Sequence, residues 1–354
     1  MYIKLLQANN GDAIHLKIKD ETSNYRNILI DGGTRDTYTY KNHKNKTQDG
    51  ALKQLIEQIR TQKENIDLLI MTHVDDDHIG GILKWFEQDI QAKDLVKKVW
   101  FNSGRLISEY FKQEEIKENL LVIRNDKNFN TSILQGVAFE NFIEQHNIWD
   151  RKIIKSGDDD IYMFGLKFTI LSPSEDKLKL LLSKWEKEVP IVNTSRTNDY
   201  SINLSELIKS DSFREDSSMH NGSSIAFIVE NQDTKILFLG DAHPQPIIDS
   251  LTNMGYSPQN PLKVDFVKLS HHGSKANTSY ELLDLIQSED FLISSNGSKH
   301  GLPDKLCLAR IINNKKKANL HFNYSALITQ IFTEQDFMDF PSFSLCDAKE
   351  QIII

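Results

Sequence analysis

Two histidines and three carboxylates fall within six consecutive positions, His73-Val74-Asp75-Asp76-Asp77-His78, and Ile79-Gly80-Gly81 follows at once. Imidazole nitrogens and carboxylate oxygens this close together on a loop can converge on one or two divalent cations, while the glycines let the backbone turn tightly beside them. An acidic solvated loop with two incidental histidines is the bland reading. A buried apolar run before the motif and Gly-Gly after it argue against that reading.

Three more polar clusters follow apolar runs. In Leu237-Phe238-Leu239-Gly240-Asp241-Ala242-His243, a carboxylate at a strand terminus could bridge two metals, although Gly-Asp alone is an ordinary turn. His243 reads equally as a residue supporting the site or as an exposed loop histidine. In Leu269-Ser270-His271-His272-Gly273-Ser274 the histidines are adjacent at a strand end, where histidines rarely serve packing. The last cluster, Ser294-Ser295-Asn296-Gly297-Ser298-Lys299-His300-Gly301-Leu302-Pro303, reads as well as a surface turn.

The elements that must carry these clusters are legible from periodicity. A strand run ending near Ala13 to Ile18 and a second at Asn27 to Ile30, which stops at Asp31-Gly32-Gly33, suggest a hairpin and a turn. Apolar residues at helical spacing over Gly50 to Gln62 precede Asp67-Leu68-Leu69-Ile70-Met71, a continuous apolar run typical of a strand covered on both faces. The motif from Thr72 to Gly81 sits at the end of that strand, and a helix-like stretch from Gly81 to Phe86 follows. Strand signals recur at Ser224 to Glu230, Lys235 to Leu239, Val264 to Leu269 and Phe291 to Ser295. The lysine- and glutamate-rich stretch from Ser103 to Glu215, with a helical pattern at Asp176 to Glu188, reads as an insertion or cap on one 354-residue domain.

Composition narrows the class. The chain is 39% hydrophobic and 26% charged, and no apolar stretch approaches the roughly 18 residues that would span a bilayer, so no membrane segment is expected. The N-terminus lacks the basic start, apolar centre and small-residue cleavage site of a secretory signal, so the expected compartment is the cytoplasm. Cys307 and Cys346 have no neighbouring cysteine, which excludes a disulfide framework or thiolate cluster and points to buried structural roles. A net charge of -8 argues against a basic coat for tight, sequence-independent nucleic-acid binding, yet leaves room for nuclease chemistry in a metal-bearing cleft. The short basic runs at Lys41 to Lys46 and Lys315 to Lys317 read as solvated loops.

Taken together, the four clusters resemble the metallo-β-lactamase superfamily, and most closely its branch related to the soluble hydrolase domain of ComEC-type competence proteins. In that branch the H-x-H-x-D-H pattern carries Asp in place of the second His, as Asp75 does here. The resemblance also covers Asn9-Asn10-Gly11-Asp12-Ala13-Ile14, the Asp31-Gly32-Gly33 turn and Asn221-Gly222-Ser223-Ser224-Ile225. It implies an α/β fold, the metallo-β-lactamase αββα sandwich with a helical insertion, its motif loops meeting along one edge. It further implies two divalent ions, Zn²⁺ or Mn²⁺. His73, Asp75 and Asp241 would surround one, and Asp77, His78, Asp241 and a histidine from the His271-His272 pair the other, with His271 favoured as nearer the strand. Relatives often have another histidine ligand where Met219-His220-Asn221-Gly222 stands, and the branch pattern aligns Asn221 rather than His220. They also carry a histidine just before the final proline, where Leu302 stands; His300 remains available as ligand or transition-state acid.

The resemblance thus implies a metal-dependent hydrolase, with Asp77, Asp75 and His300 as candidate catalytic residues. The leading expectation is a phosphodiesterase or nuclease acting on nucleic acid or a nucleotide through a dinuclear-metal-activated water, with Lys275 and Lys299 recruiting phosphate. One alternative is hydrolysis of another small ester, of lactone or phosphocholine type. Another is a degenerate metal-binding sensor that engages a protein partner through residues 103–215. No nucleophile elbow, phosphate-binding Gly-Lys loop or dinucleotide fingerprint competes for the role.

Overall fold

Alternation of inward and outward side chains builds two sheets that pack face to face. A computed structural model of the chain describes residues 1–112, 132–185, 198–299, 301–348 and 352–353. The first sheet contains β1 (Tyr2–Leu5), β2 (Ile14–Lys19), β3 (Tyr25–Ile30), β4 (Leu68–Ile70) and β5 (Val99–Trp100) in that order, with Ile352–Ile353 beside β1. The strands β1 to β3 are antiparallel, and β3, β4 and β5 run parallel. The second sheet has eight strands in chain order: β6 (Ile161–Met163), β7 (Leu166–Ser172), β8 (Ala226–Glu230), β9 (Lys235–Phe238), β10 (Phe266–Lys268), β11 (Asp290–Ile293), β12 (Ala318–Phe322) and β13 (Phe343–Asp347). Pairing is antiparallel from β6 to β9 and parallel from β9 to β13.

The period-two pattern explains the layers. Ile14, Leu16 and Ile18 of β2, Leu68 and Ile70 of β4, Phe168 of β7 and Ile236 and Phe238 of β9 fill the space between the sheets, where the Trp100 and Phe168 rings meet edge-on at 5.1 Å. Leu69 and Leu237, one position out of phase, face the outer layers instead. Helices α1 (Ala51–Thr61), α2 (Asp76–Gln88), α3 (Ser132–Gln145) and α4 (Glu175–Trp185) place apolar residues in the core outside the first sheet. Helices α5 (Leu204–Lys209), α6 (Pro244–Asn253) and α7 (Lys305–Asn314) do so outside the second. The result is the expected αββα sandwich. No helix among the described residues is long and apolar enough to cross a membrane.

Three local expectations change. The helix after the metal-binding motif begins at Asp76, not Gly81, with Asp75 as its N-cap residue, so Asp77 and His78 sit on its first turn. Gly80 and Gly81 are therefore helical and do not make a turn. Their lack of a side chain permits close packing, because a Cβ on Gly81 would lie 2.0 Å from the Gly32 carbonyl oxygen. The stretch 103–215, read as an insertion or cap, contributes β6 and β7 to the second sheet. Leu166, Phe168 and Ile170 alternate inward there with Lys167 and Thr169 between them, inside a charged stretch that masks the pattern. Cys307 is buried as expected, whereas Cys346 is half-buried at the sheet edge.

Candidate metal centre

The site lies where the carboxyl ends of parallel strands from both sheets meet, a position at which loop side chains converge on a rigid frame. Asp31 follows β3, His73 follows β4, Asp241 follows β9, and His271 and His272 follow β10. The two sheets are joined at this edge by the Ile225 N–H donating to the Thr72 carbonyl at 3.0 Å and the Ser294 hydroxyl donating to the Gly11 carbonyl at 2.8 Å.

Asp241 is the hub. Its carboxylate is buried and faces four imidazoles: His78 Nε2 at 3.3 Å, and His73, His271 and His272 Nε2 each at 3.8 Å. His73 Nε2 is also 3.9 Å from Asp75 Oδ2, and His272 Nε2 is 3.9 Å from Asp77 Oδ2. Two ligands bound at about 2.1 Å in tetrahedral geometry stand ~3.4 Å apart, so these separations suit donors sharing a cation. His73, His271 and His272 all approach Asp241 Oδ2 and His78 approaches Oδ1, with Asp75 beside His73 and Asp77 beside His272. The adjacent pair plays two parts: His272 joins Asp12, His78 and Asp241 in one group of donors, its Nε2 3.9 Å from Asp77 Oδ2. His271 instead turns its Nδ1 toward Asn277 Oδ1 at 3.1 Å and Asp216 Oδ2 at 3.5 Å.

Backbone conformation sets this division. His271 and His272 adopt φ of 46° and 55° on a short 3₁₀ turn, Ser270–Gly273, and Gly273 follows at 87°. Consecutive non-glycine residues in the left-handed region are strained, and such strain collects at functional sites. The turn is held by the His271 N–H donating to the Gly240 carbonyl at 2.9 Å and the Ser270 hydroxyl donating to the Ala242 carbonyl at 2.7 Å.

A cation is what the donor atoms lack. His73 Nε2, His78 Nε2, His272 Nε2 and Asp241 Oδ1 are buried and have no hydrogen-bond partner among the described residues, as are Asp12 Oδ1 and Asn221 Oδ1. Leaving such atoms unpaired costs about 1–3 kcal/mol each, and divalent ions would satisfy them together. One ligand atom from each of Asp12, His78, Asp241 and His272 lies within 4.8 Å of the others, so Asp12 joins the candidate set. The residues present fit a divalent cation.

Around these donors lies an orienting layer. Asp31, with φ 57°, accepts from the Thr72 N–H at 2.8 Å and hydroxyl at 2.6 Å, and its Oδ2 is 2.7 Å from His78 Nδ1. That contact turns His78 Nε2 toward the hub, the usual way in which a carboxylate fixes a metal-binding imidazole. His272 Nδ1 meets the Ser294 carbonyl at 3.1 Å, which turns its Nε2 toward the hub, and Asp12 beside it is paired with the buried Lys268 ammonium at 2.6 Å. His220 Nδ1 meets Asp75 Oδ1 at 2.7 Å, Ser132 donates to the same oxygen at 2.9 Å, and Asn10 donates to Asp77 Oδ2 at 2.8 Å.

The electrostatics follow from this packing. Burial opposes a charge on His78, but the Asp241 and Asp31 carboxylates outweigh it and hold the imidazolium well above its ordinary pKa. His271 is likewise raised, against burial, to about 9 by Asp241 and Asp216. For His73, burial and the neighbouring His78 push the other way. Burial alone would raise Asp241, yet the imidazoles of His78, His271 and His272 keep it well below the carboxylate range.

Other expected residues fall outside the cluster. His300 lies outside the described residues. His243 is buried rather than exposed, accepts from Lys177 Nζ at 2.7 Å and points Nε2 toward Asp216 at 3.9 Å. Lys275 is engaged by Asp304 at 3.1 Å and Asp199 at 3.9 Å, which weakens its candidacy as a phosphate ligand. Lys299 makes no ion pair with a described residue. Sequence reasoning gave no role to Asp12, Asp31, His220 or Asp216. The first two lay in quoted motifs and His220 beside one, whereas nothing local marks Asp216.

Residues 22–168 match the family model described as Metallo-beta-lactamase superfamily, a span that includes His73 to His78 but neither Asp241 nor the histidine pair. The architecture is the metallo-β-lactamase fold. Similar solved structures include the metallo-beta-lactamase fold protein YhfI from Bacillus subtilis, 10% identical with a TM-score of 0.39, the match covering 98% of this chain and 95% of that one. The isothiocyanate hydrolase from Delia radicum gut bacteria is 11% identical with a TM-score of 0.40, covering 100% and 99%. CmlA beta-hydroxylase is 11% identical with a TM-score of 0.41, covering 100% of this chain and 53% of that one. No curated protein matches the chain.

Proposed function

We propose that the protein is a metal-dependent phosphodiesterase acting on nucleic acid or a nucleotide. The observation that carries the reading is the group of unpartnered, buried imidazole and carboxylate atoms gathered around Asp241. A donor set this rich in carboxylate suits Mn²⁺ as well as Zn²⁺. The motif resemblance to ComEC-type hydrolase domains favours phosphodiesters over other esters.

Divalent ions held by these residues would supply Lewis acidity and lower the pKa of water. The chain's own residues do the rest. Asp31 fixes the imidazole of His78, the Ser294 carbonyl holds Nδ1 of His272, and His220 and Ser132 hold one oxygen of Asp75. Water adds to phosphorus, the bond to the leaving alcohol oxygen breaks, and that oxygen takes up a proton. Burial would raise Asp75, but His220 and His73 hold its carboxylate below the ordinary range, so Asp77, 17% exposed, is the carboxylate left to accept the water's proton.

The test is purified protein assayed on single-stranded DNA, duplex DNA, RNA and cyclic dinucleotides, each with Mn²⁺ or Zn²⁺. Cleavage of at least one, abolished by chelation, is the expected result. Turnover of a lactone or phosphocholine ester with no phosphodiester cleaved would replace this reading.

A further inference from the structure

A cavity of about 370 Å³ is bounded by the Asn9 loop, by residues between Asp36 and Gln54, and by Tyr324. Its link to the metal centre is direct in the chain. Asn9 lines the cavity, and the next residue, Asn10, donates to Asp77 Oδ2 at 2.8 Å. This wall is fixed on two sides. The Asn9 N–H donates to the Tyr324 hydroxyl at 2.7 Å, and the Asn296 N–H, from the loop after β11, donates to the Asn9 carbonyl at 2.9 Å. The volume lies at the low end of the ~300–1,000 Å³ range of small-molecule sites.

The walls select a kind of ligand. Asn9 spends one amide N–H on the Thr34 hydroxyl and Gln7 spends one on the Asn323 carbonyl, so each keeps one N–H donor and its side-chain carbonyl oxygen as an acceptor. The carboxylates of Asp36 and Asp49 add further acceptors, one oxygen of Asp49 being paired with Lys53 at 2.7 Å and one of Asp36 lying 3.8 Å from Lys84, and Lys41 is the lysine of the lining. Such a lining disfavours a second phosphate and suits a neutral group rich in N–H donors. Tyr40, 42% exposed, and Tyr324 contribute aromatic rings of the kind on which bases stack.

We infer that this cavity holds a nucleobase of the substrate, preferring bases with an exocyclic amine, while the phosphodiester sits at the metal centre. The inference rests on the phosphodiesterase reading above.

The test is titration of EDTA-treated, full-length protein with adenosine, cytidine and uridine, followed by ligand-observed NMR, for wild type, Tyr40→Ala and Gln54→Ala. Both positions are exposed, and thermal unfolding checks that the variants fold. Adenosine and cytidine bind more tightly than uridine, and Tyr40→Ala weakens them by about tenfold, the order of effect of removing one base–aromatic stack. Absence of nucleoside binding to wild type, or binding unchanged in both variants, overturns the inference. Hydrolysis of bis(p-nitrophenyl) phosphate by the metal-loaded wild type reports the metal centre separately. Its presence without nucleoside binding overturns the cavity assignment alone, and nucleoside binding without it overturns the proposed reaction.

Discussion

Asp241 carries the charge toward which four imidazoles turn, so the carboxylates should decide metal content. Asp241→Asn and Asp77→Asn keep side-chain size while removing charge; metal affinity should fall by at least about 10- to 100-fold, the loss that even supporting residues produce, with hydrolysis falling in parallel. Elemental analysis after dialysis measures it, and full occupancy in both variants would mean that the wrong carboxylates are named. His271 gives a second prediction through its proton. Its folded pKa is raised from 6.5 to about 9, so in metal-free protein its contribution to stability is complete below pH 6.5 and is lost as pH rises through about 9. A cation competes for the same imidazole, so metal affinity should climb over that interval. Denaturant unfolding of EDTA-treated protein across it should show the loss, and His271→Asn should flatten the profile. The residues spaced within one motif, His73 to His78, were legible from sequence because a single turn brings them together. The division between His271 and His272 was not, since it depends on two positive φ values. Nor was the role of Asp12, whose partner Lys268 is 256 positions away.

Helix α2 delivers Asp77 and His78 only because its first turns can press against the loop after β3. A Cβ on Gly81 would lie 2.0 Å from the Gly32 carbonyl oxygen, and one on Gly11 would lie 1.8 Å from the Asp77 carbonyl oxygen. Gly81→Ala must therefore push α2 away from the strand that ends at Asp31, costing ~1–3 kcal/mol or more. The denaturation midpoint should drop, and metal affinity with it, because His78 then loses its alignment with Asp31. A normal midpoint and normal metal binding in Gly81→Ala would show that the close approach is dispensable. At this scale the sequence placed β4, β9, β10 and β11 within a few residues, since each is a compact apolar run ending in a polar cluster. It misplaced the start of α2, because Gly80-Gly81 reads as a turn that ends the motif, although carboxylates such as Asp76 and Asp77 suit the positive end of a helix. It also hid β7, whose inward residues alternate with lysine and threonine inside a highly charged stretch.

Across the whole molecule, a net charge of -8 must coexist with an anionic substrate. The metal centre then supplies most of the attraction, and few lysines can add to it: Lys275 is already paired with Asp304, which leaves Lys299, in the loop after β11, as the better candidate. Binding to single-stranded DNA should accordingly be modest and only moderately salt-sensitive, each neutralised phosphate contributing a slope of about -0.7 in log affinity against log salt. With two or three such contacts the total slope should be roughly -2, far from the about -10 of a protein that coats DNA with basic residues. Lys299→Ala should make that slope shallower by about 0.7 without removing metal, whereas Asp77→Asn should abolish cleavage. Fluorescence anisotropy at several salt concentrations, with Mn²⁺ present, gives both numbers. A steep slope would mean that a basic surface, and not the metal cleft, recruits the strand; no measurable binding alongside turnover of a small ester would remove nucleic acid as the substrate.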